Sequence, residues 1–169
     1  VSVIGSAARV LHVLITGIWL GAGALCILLV FLVPETLDSR QAAEAVLSAT
    51  RARLDLFGLL AGPVLLLTLA VGWVPLMVRL KMRLFVTLAG TGAAALSGRY
   101  LVPKMREVMD AMGRPLQDLP STDPLVSQYL ELSVASLGTL GVQVLAALLL
   151  VITAVAAGKP KKQSYGIEL

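Results

Sequence analysis

From Val10 to Val33 the chain runs 24 residues without one charged side chain. As an α-helix rising about 1.5 Å per residue, that run is roughly 36 Å long, enough to cross a hydrocarbon core roughly 30 Å thick. It exceeds the roughly 7–15 apolar residues of a signal peptide, and no small-x-small cleavage site closes it. It therefore reads as a retained membrane helix, with Arg9 before it and Pro34 ending it. Cys26, the only cysteine, lies inside this run, so no internal disulfide can form. Leu25 stands where a lipoprotein signal needs a small residue, and a lipid anchor is not expected.

Three more runs follow the same logic. Of the 169 residues, 57% are hydrophobic and 14% charged, where soluble domains carry roughly 25% charged residues. Helix two is expected over 54–78, kinked where Gly62-Pro63 removes a backbone donor and crowds the preceding turn, with Pro75 near its far end. Helix three is expected over 84–102 and helix four over 124–157, with Asp123 as N-cap and Pro124 at the first helical position. In the polar stretch Glu35–Arg53, Asp38 and Gln41 have capping-box spacing, so a helix starting near Ser39 runs into helix two. Pro103 opens a new turn, an amphipathic helix covers Lys104–Met112, and Gly113 stops it. Residues 114–120 read as loop and 159–169 as a polar tail. The expected fold is all-α: one integral membrane four-helix bundle, with short amphipathic helices in its outer loops.

Four crossings put both termini on one side. Arg9, Arg79, Lys81, Arg83, Lys159, Lys161 and Lys162 share that side, and seven basic residues lie on the other. The first group is packed tightly against helix ends, where the positive-inside bias counts most, so both termini are expected in the cytoplasm. Basic charge confined to the gaps between apolar runs argues against nucleic acid as a partner and for membrane lipid. One His and one Cys exclude the usual tight zinc sites, and no hydrolase, P-loop or dinucleotide motif is present. Nothing marks an enzyme.

The remaining candidates are few. Gly17 and Gly21, Gly58 and Gly62, and Gly90, Ala94 and Gly98 form four-residue rows of small side chains. These serve close packing within the bundle or a face for another copy or subunit. His12, with Trp19 seven residues on, is either hydrogen-bonded to a neighbouring helix or a haem or proton ligand. Asp55, Arg99 and Glu131 are charges near the outer helix ends, forming a polar vestibule or an ion pair pinning the bundle. Gln143 is expected to bond across helices. Met105, Met109 and Met112 share a face that suits either apolar packing or Cu(I).

Leu11-His12, Trp19-x-Gly21 and Val33-Pro34 together resemble the first helix of an uncharacterised bacterial four-helix membrane family, a domain of unknown function. That family is similar to eukaryotic transmembrane-protein-205-like sequences. Pro103-Lys104-Met105-Arg106 resembles the close of its third helix, and Tyr129, Leu132 and Ser136 its fourth, with Ser133 where the family has histidine. The His-x6-Trp-x-Gly element is also similar to the copper-resistance protein D family and, more distantly, to membrane protoporphyrinogen oxidases; no oxidase activity is carried over. The resemblance implies a multi-pass protein of a bacterial inner membrane and no established reaction. The expected role is an accessory or structural subunit of a membrane assembly, in an energy-transducing complex for instance, or a homo-oligomer. The alternatives are a transporter or copper-handling protein, and a haem protein using His12.

Overall fold

The computed structural model describes residues 3–37, 40–72, 77–113, 118–120 and 122–157. These form helices α1 (Val3–Thr36), α2 (Arg40–Gly72), α3 (Met77–Leu96), a π-helical segment (Ser97–Leu101), α4 (Val102–Met112) and α5 (Pro124–Ala157). Among the described residues there is no strand, and the all-α expectation stands. Three helices, α1, α2 and α5, are long and apolar enough to cross a membrane. α3 carries Lys81 and Arg83 in its opening turns, with Arg79 beside them in sequence. Its apolar stretch lies further on, from Leu84 through the π segment to Val102, with Arg99 as its one charge.

α1 packs on α2, α2 on α3, α3 on α5, and α5 back on α1, so the helices close a four-cornered bundle. α1 joins it through Gly5, His12, Thr16, Trp19, Gly23, Cys26 and Val33. Those positions are separated by seven, four, three, four, three and seven residues, the spacing of a narrow coiled-coil seam. The other faces of α1 leave Leu14, Ile18, Leu25, Leu28 and Phe31 exposed. Trp19, Leu54, Leu65, Val86, Leu140, Ala147 and Leu150 fill the centre. A smaller cluster of Val108, Met112, Val126 and Tyr129 seats α4 on α5.

Several helix boundaries differ from the sequence expectation. α1 begins seven residues early and passes through Pro34 to Thr36. A proline this near the helix end forfeits only one ladder bond, and the Thr36 hydroxyl donates to the Leu32 and Val33 carbonyls at 3.0 and 3.2 Å. α2 begins at Arg40, ahead of the expected apolar span, and continues unbroken through Pro63. Asp38 of the expected capping box, Ser39 at the expected helix start, Pro75 and the tail lie outside the described residues. α3 begins at Met77, so the stretch expected as a short basic turn is helical.

Pro103 does not open a separate helix, because the chain stays helical from Met77 to Met112. The π segment explains why. The backbone N–H of Val102 reaches back five residues to the Ser97 carbonyl, and the extra residue in this turn accommodates the proline that follows. Gly113 then closes α4 at φ 60°, a left-handed conformation that costs glycine nothing. At the start of α5 the expected cap is present: Leu125 N–H donates to Asp123 Oδ1 at 2.8 Å, with Pro124 first in the helix.

Glycine sets the helix separations. A β-carbon at Gly90 would stand 2.9 Å from Ala146 Cβ and 3.0 Å from Trp19 Cη2. At Gly17 it would meet nothing within 4 Å. Gly90→Val is therefore expected to lower stability by about 1–3 kcal/mol through overpacking. Gly17→Ala leaves the thermal midpoint unchanged or raises it, because alanine is the better helix former. Thermal unfolding of both variants in mild detergent checks this pair of outcomes.

Candidate functional site

The most polar place in the bundle interior is built around Asp55, whose side chain is 1% exposed. Arg51 precedes it by four residues, so both project from one face of α2, with Arg51 Nε 3.9 Å from Asp55 Oδ2. Ser97, first residue of the π segment, donates to Asp55 Oδ2 at 2.6 Å and accepts from Arg51 Nε at 3.3 Å. Gln143 of α5 donates to Asp55 Oδ1 at 2.8 Å. Its own carbonyl accepts from the Trp19 indole of α1 at 3.3 Å. Arg51 Nη2 also donates to the Ser136 carbonyl and, at 2.8 Å, to Thr139 Oγ1. Four helices thus meet through one carboxylate and one guanidinium.

Arg99 and Glu131 do not join this group; both are exposed. The cation beside Asp55 is Arg51. Arg99 lies two residues past Ser97 on the exposed side of the π segment, and Glu131 lies about 18 Å along α5 from Gln143. Gly98 serves the cluster indirectly, since a β-carbon there would come within 3.1 Å of Asp55 Cβ. Gly58 does likewise against Ala94, at 2.9 Å, and against Gln143 and Trp19. Ala94 is fully buried, and Gly62 admits the Thr91 side chain. Gly17 and Gly21 face outward, and the tight glycine of α1 is Gly23, against Val144.

His12 is fully buried. The Thr68 hydroxyl donates to the Leu65 carbonyl at 2.9 Å, so it accepts from His12 Nδ1, also at 2.9 Å. Thr16 Oγ1 donates to the His12 carbonyl at 2.6 Å. The ring joins α1 to α2, as one of the two sequence readings expects, and a haem here would have to displace core side chains. The methionines do not converge. Met112 is buried and Met105 packs on the same α4–α5 cluster, but Met109 is 38% exposed and outside it. The buried stripe of α4 is Met105, Val108 and Met112, the spacing of an apolar packing face. Among the described residues, no three His, Cys, Asp or Glu side chains gather as metal ligands. On the exposed side of α4, Lys104 Nζ meets Glu107 Oε2 at 2.6 Å, and the adjacent carboxylate raises the lysine pKa.

The Arg51–Asp55 spacing was available in the sequence as an i, i+4 pair within the polar-to-apolar transition of α2. Ser97 was not singled out, although it stands three residues past Ala94 and seven past Gly90, on the same buried face. No family model, curated protein or solved structure matches the chain.

A buried pair reacts differently to losing one member and losing both. Asp55→Ala is expected to cost about 3–5 kcal/mol, leaving the Arg51 charge buried without its counter-ion. Arg51→Met combined with Asp55→Leu should recover most of that loss, since well-packed apolar replacements of a buried pair are often neutral. Denaturant titration of both variants and the parent measures the two effects. A double variant as unstable as Asp55→Ala would contradict the assignment of the loss to uncompensated charge.

Proposed function

We propose that this chain is a non-enzymatic multi-pass protein of a bacterial inner membrane, crossing it four times with both termini in the cytoplasm. In this reading it works as an accessory subunit of a membrane assembly or as a homo-oligomer. The observation that carries it is the idle face of α1. The most apolar stretch of α1 is 22% buried, against 44% for α2 and 39% for α5. Gly17 and Gly21 lie together on that face with nothing of their own chain against them. In lipid, helices associate where small residues let backbones approach, because burying apolar area offers no drive there. The inward glycines of α2 and α3, and Gly23 of α1, already face neighbours within the chain; Gly17 and Gly21 await a partner from another chain.

The transport alternative rests on Arg51 and Asp55 lying at membrane depth. Both carboxylate oxygens accept hydrogen bonds from neighbouring helices. That arrangement suits a pin holding helices together better than a site a passing solute occupies.

Blue-native electrophoresis or native mass spectrometry of protein taken gently from its membrane should show a discrete complex. Gly17→Leu with Gly21→Leu should reduce it to monomer at unchanged thermal midpoint, because both side chains point away from the bundle. A wild-type chain that is only monomeric in mild detergent, or a complex indifferent to the double substitution, counts against α1 as the contact.

A further inference from the structure

Polar side chains line the bundle interior beyond the Asp55 group: His12, Thr16, Thr68, Arg83 and Thr87 are all buried. Their levels follow from the close contacts. Asp55, Gly58 and Gly62 lie against Gly98, Ala94 and Thr91 in turn, so α2 and α3 run antiparallel. Trp19 lies against Gly58 and Gly90, and His12 against Thr68, so α1 runs parallel to α3. His12 stands seven residues before Trp19, and Thr87 three before Gly90. Thr87 is therefore one turn, about 6 Å, further along the bundle than His12, and Thr91 one turn further again. One more turn separates Gly62, beside Thr91, from Gly58, beside the Gln143 carbonyl of the Asp55 group.

The hydroxyls at these levels are unusual. Thr16, Thr36, Thr50, Thr68, Thr139 and Thr153 each donate to a carbonyl three or four residues back. Thr87 and Thr91 do not: both Oγ1 atoms are buried with no hydrogen-bond partner in the protein. A buried hydroxyl in that position is costly unless a water satisfies it. Steps of about 6 Å are what one water spans with two hydrogen bonds of about 2.8–3.0 Å. The charged and titratable groups along this line are His12 and Cys26 of α1, Arg51 and Asp55 of α2, and Arg83 of α3. The single charge of α5, Glu131, is exposed.

We propose that the bundle interior conducts protons between Asp55 and His12, through waters held by the Thr87 and Thr91 hydroxyls. The inference rests on the membrane reading above and not on the contact assigned to α1. Asp55 is approached beside Arg51, whose side chain is 11% exposed. A proton taken up on the Asp55 carboxylate passes along the waters and the two hydroxyls, each accepting one proton and releasing its own. It ends on His12 Nε2, the basic nitrogen of the ring, because Nδ1–H donates to Thr68. His12 then releases it toward the end of the bundle where α1 begins, so one proton crosses and every other bond is restored. A proton needs no solute-sized room, so the same carboxylate still pins the helices.

The test uses the full chain in phospholipid vesicles enclosing a pH-sensitive dye, with proton entry driven by an inside-negative potassium diffusion potential. Wild-type vesicles should acidify about tenfold or more faster than protein-free ones. Thr87→Val with Thr91→Val should remove most of that excess. The thermal midpoint of this variant should hold or rise, since a methyl replaces each unpartnered buried hydroxyl. Thr87→Ser with Thr91→Ser should retain the excess, and Asp55→Asn should abolish it. Wild-type flux equal to that of protein-free vesicles, or an excess that survives the double valine variant, overturns the proposal. A chain that does not float with the vesicles instead fails the membrane reading, and flotation is scored before flux is measured.

Discussion

Asp55 holds a buried carboxylate inside a bundle that also buries Trp19, Leu65 and Leu150 along with polar side chains such as His12, Thr87 and Gln143. Removing such a charge from water carries an effective penalty of several kcal/mol, so its lone pairs must find donors of good geometry. The donors come from different helices: Ser97 from the π segment and Gln143 from α5, with Arg51 alongside on α2 and Trp19 of α1 behind Gln143. Satisfying this one group ties the four helices together.

The glycines are the counterpart of that network. Where Trp19 and Gln143 lie at the centre, Gly58 and Gly90 supply the space they occupy. Gly62 does the same for Thr91, and Gly98 for Asp55. Close backbone approach and a large polar interior are thus one arrangement seen from two sides. Gly17 and Gly21 stand outside it, on the helix with the least buried apolar stretch, and that difference motivates a partner for α1.

The π segment begins at Ser97, on the same buried face as Gly90 and Ala94, and its extra residue lets the helix absorb Pro103 and continue into α4. α4 then lays its Met105–Val108–Met112 stripe on α5.

Local physics was enough to read the helices from the sequence. Apolar run lengths located them, Asp123-Pro124 marked the start of α5, and Gly113 the end of α4, because caps and breakers act within a few residues. The same local reasoning placed a break at Pro103 and an end at Pro34, where the helices continue. It could not choose which charges meet. Composition and depth pointed to Arg99 and Glu131 as the charges accompanying Asp55. Selecting Arg51 required the rotations of α2, α3 and α5, quantities set by how four helices pack. Likewise, the rows at Gly17 and at Gly58 are indistinguishable as strings. Only packing turned one outward and filled the space beside the other, because which side of a helix becomes interior depends on its neighbours and not on its own residues.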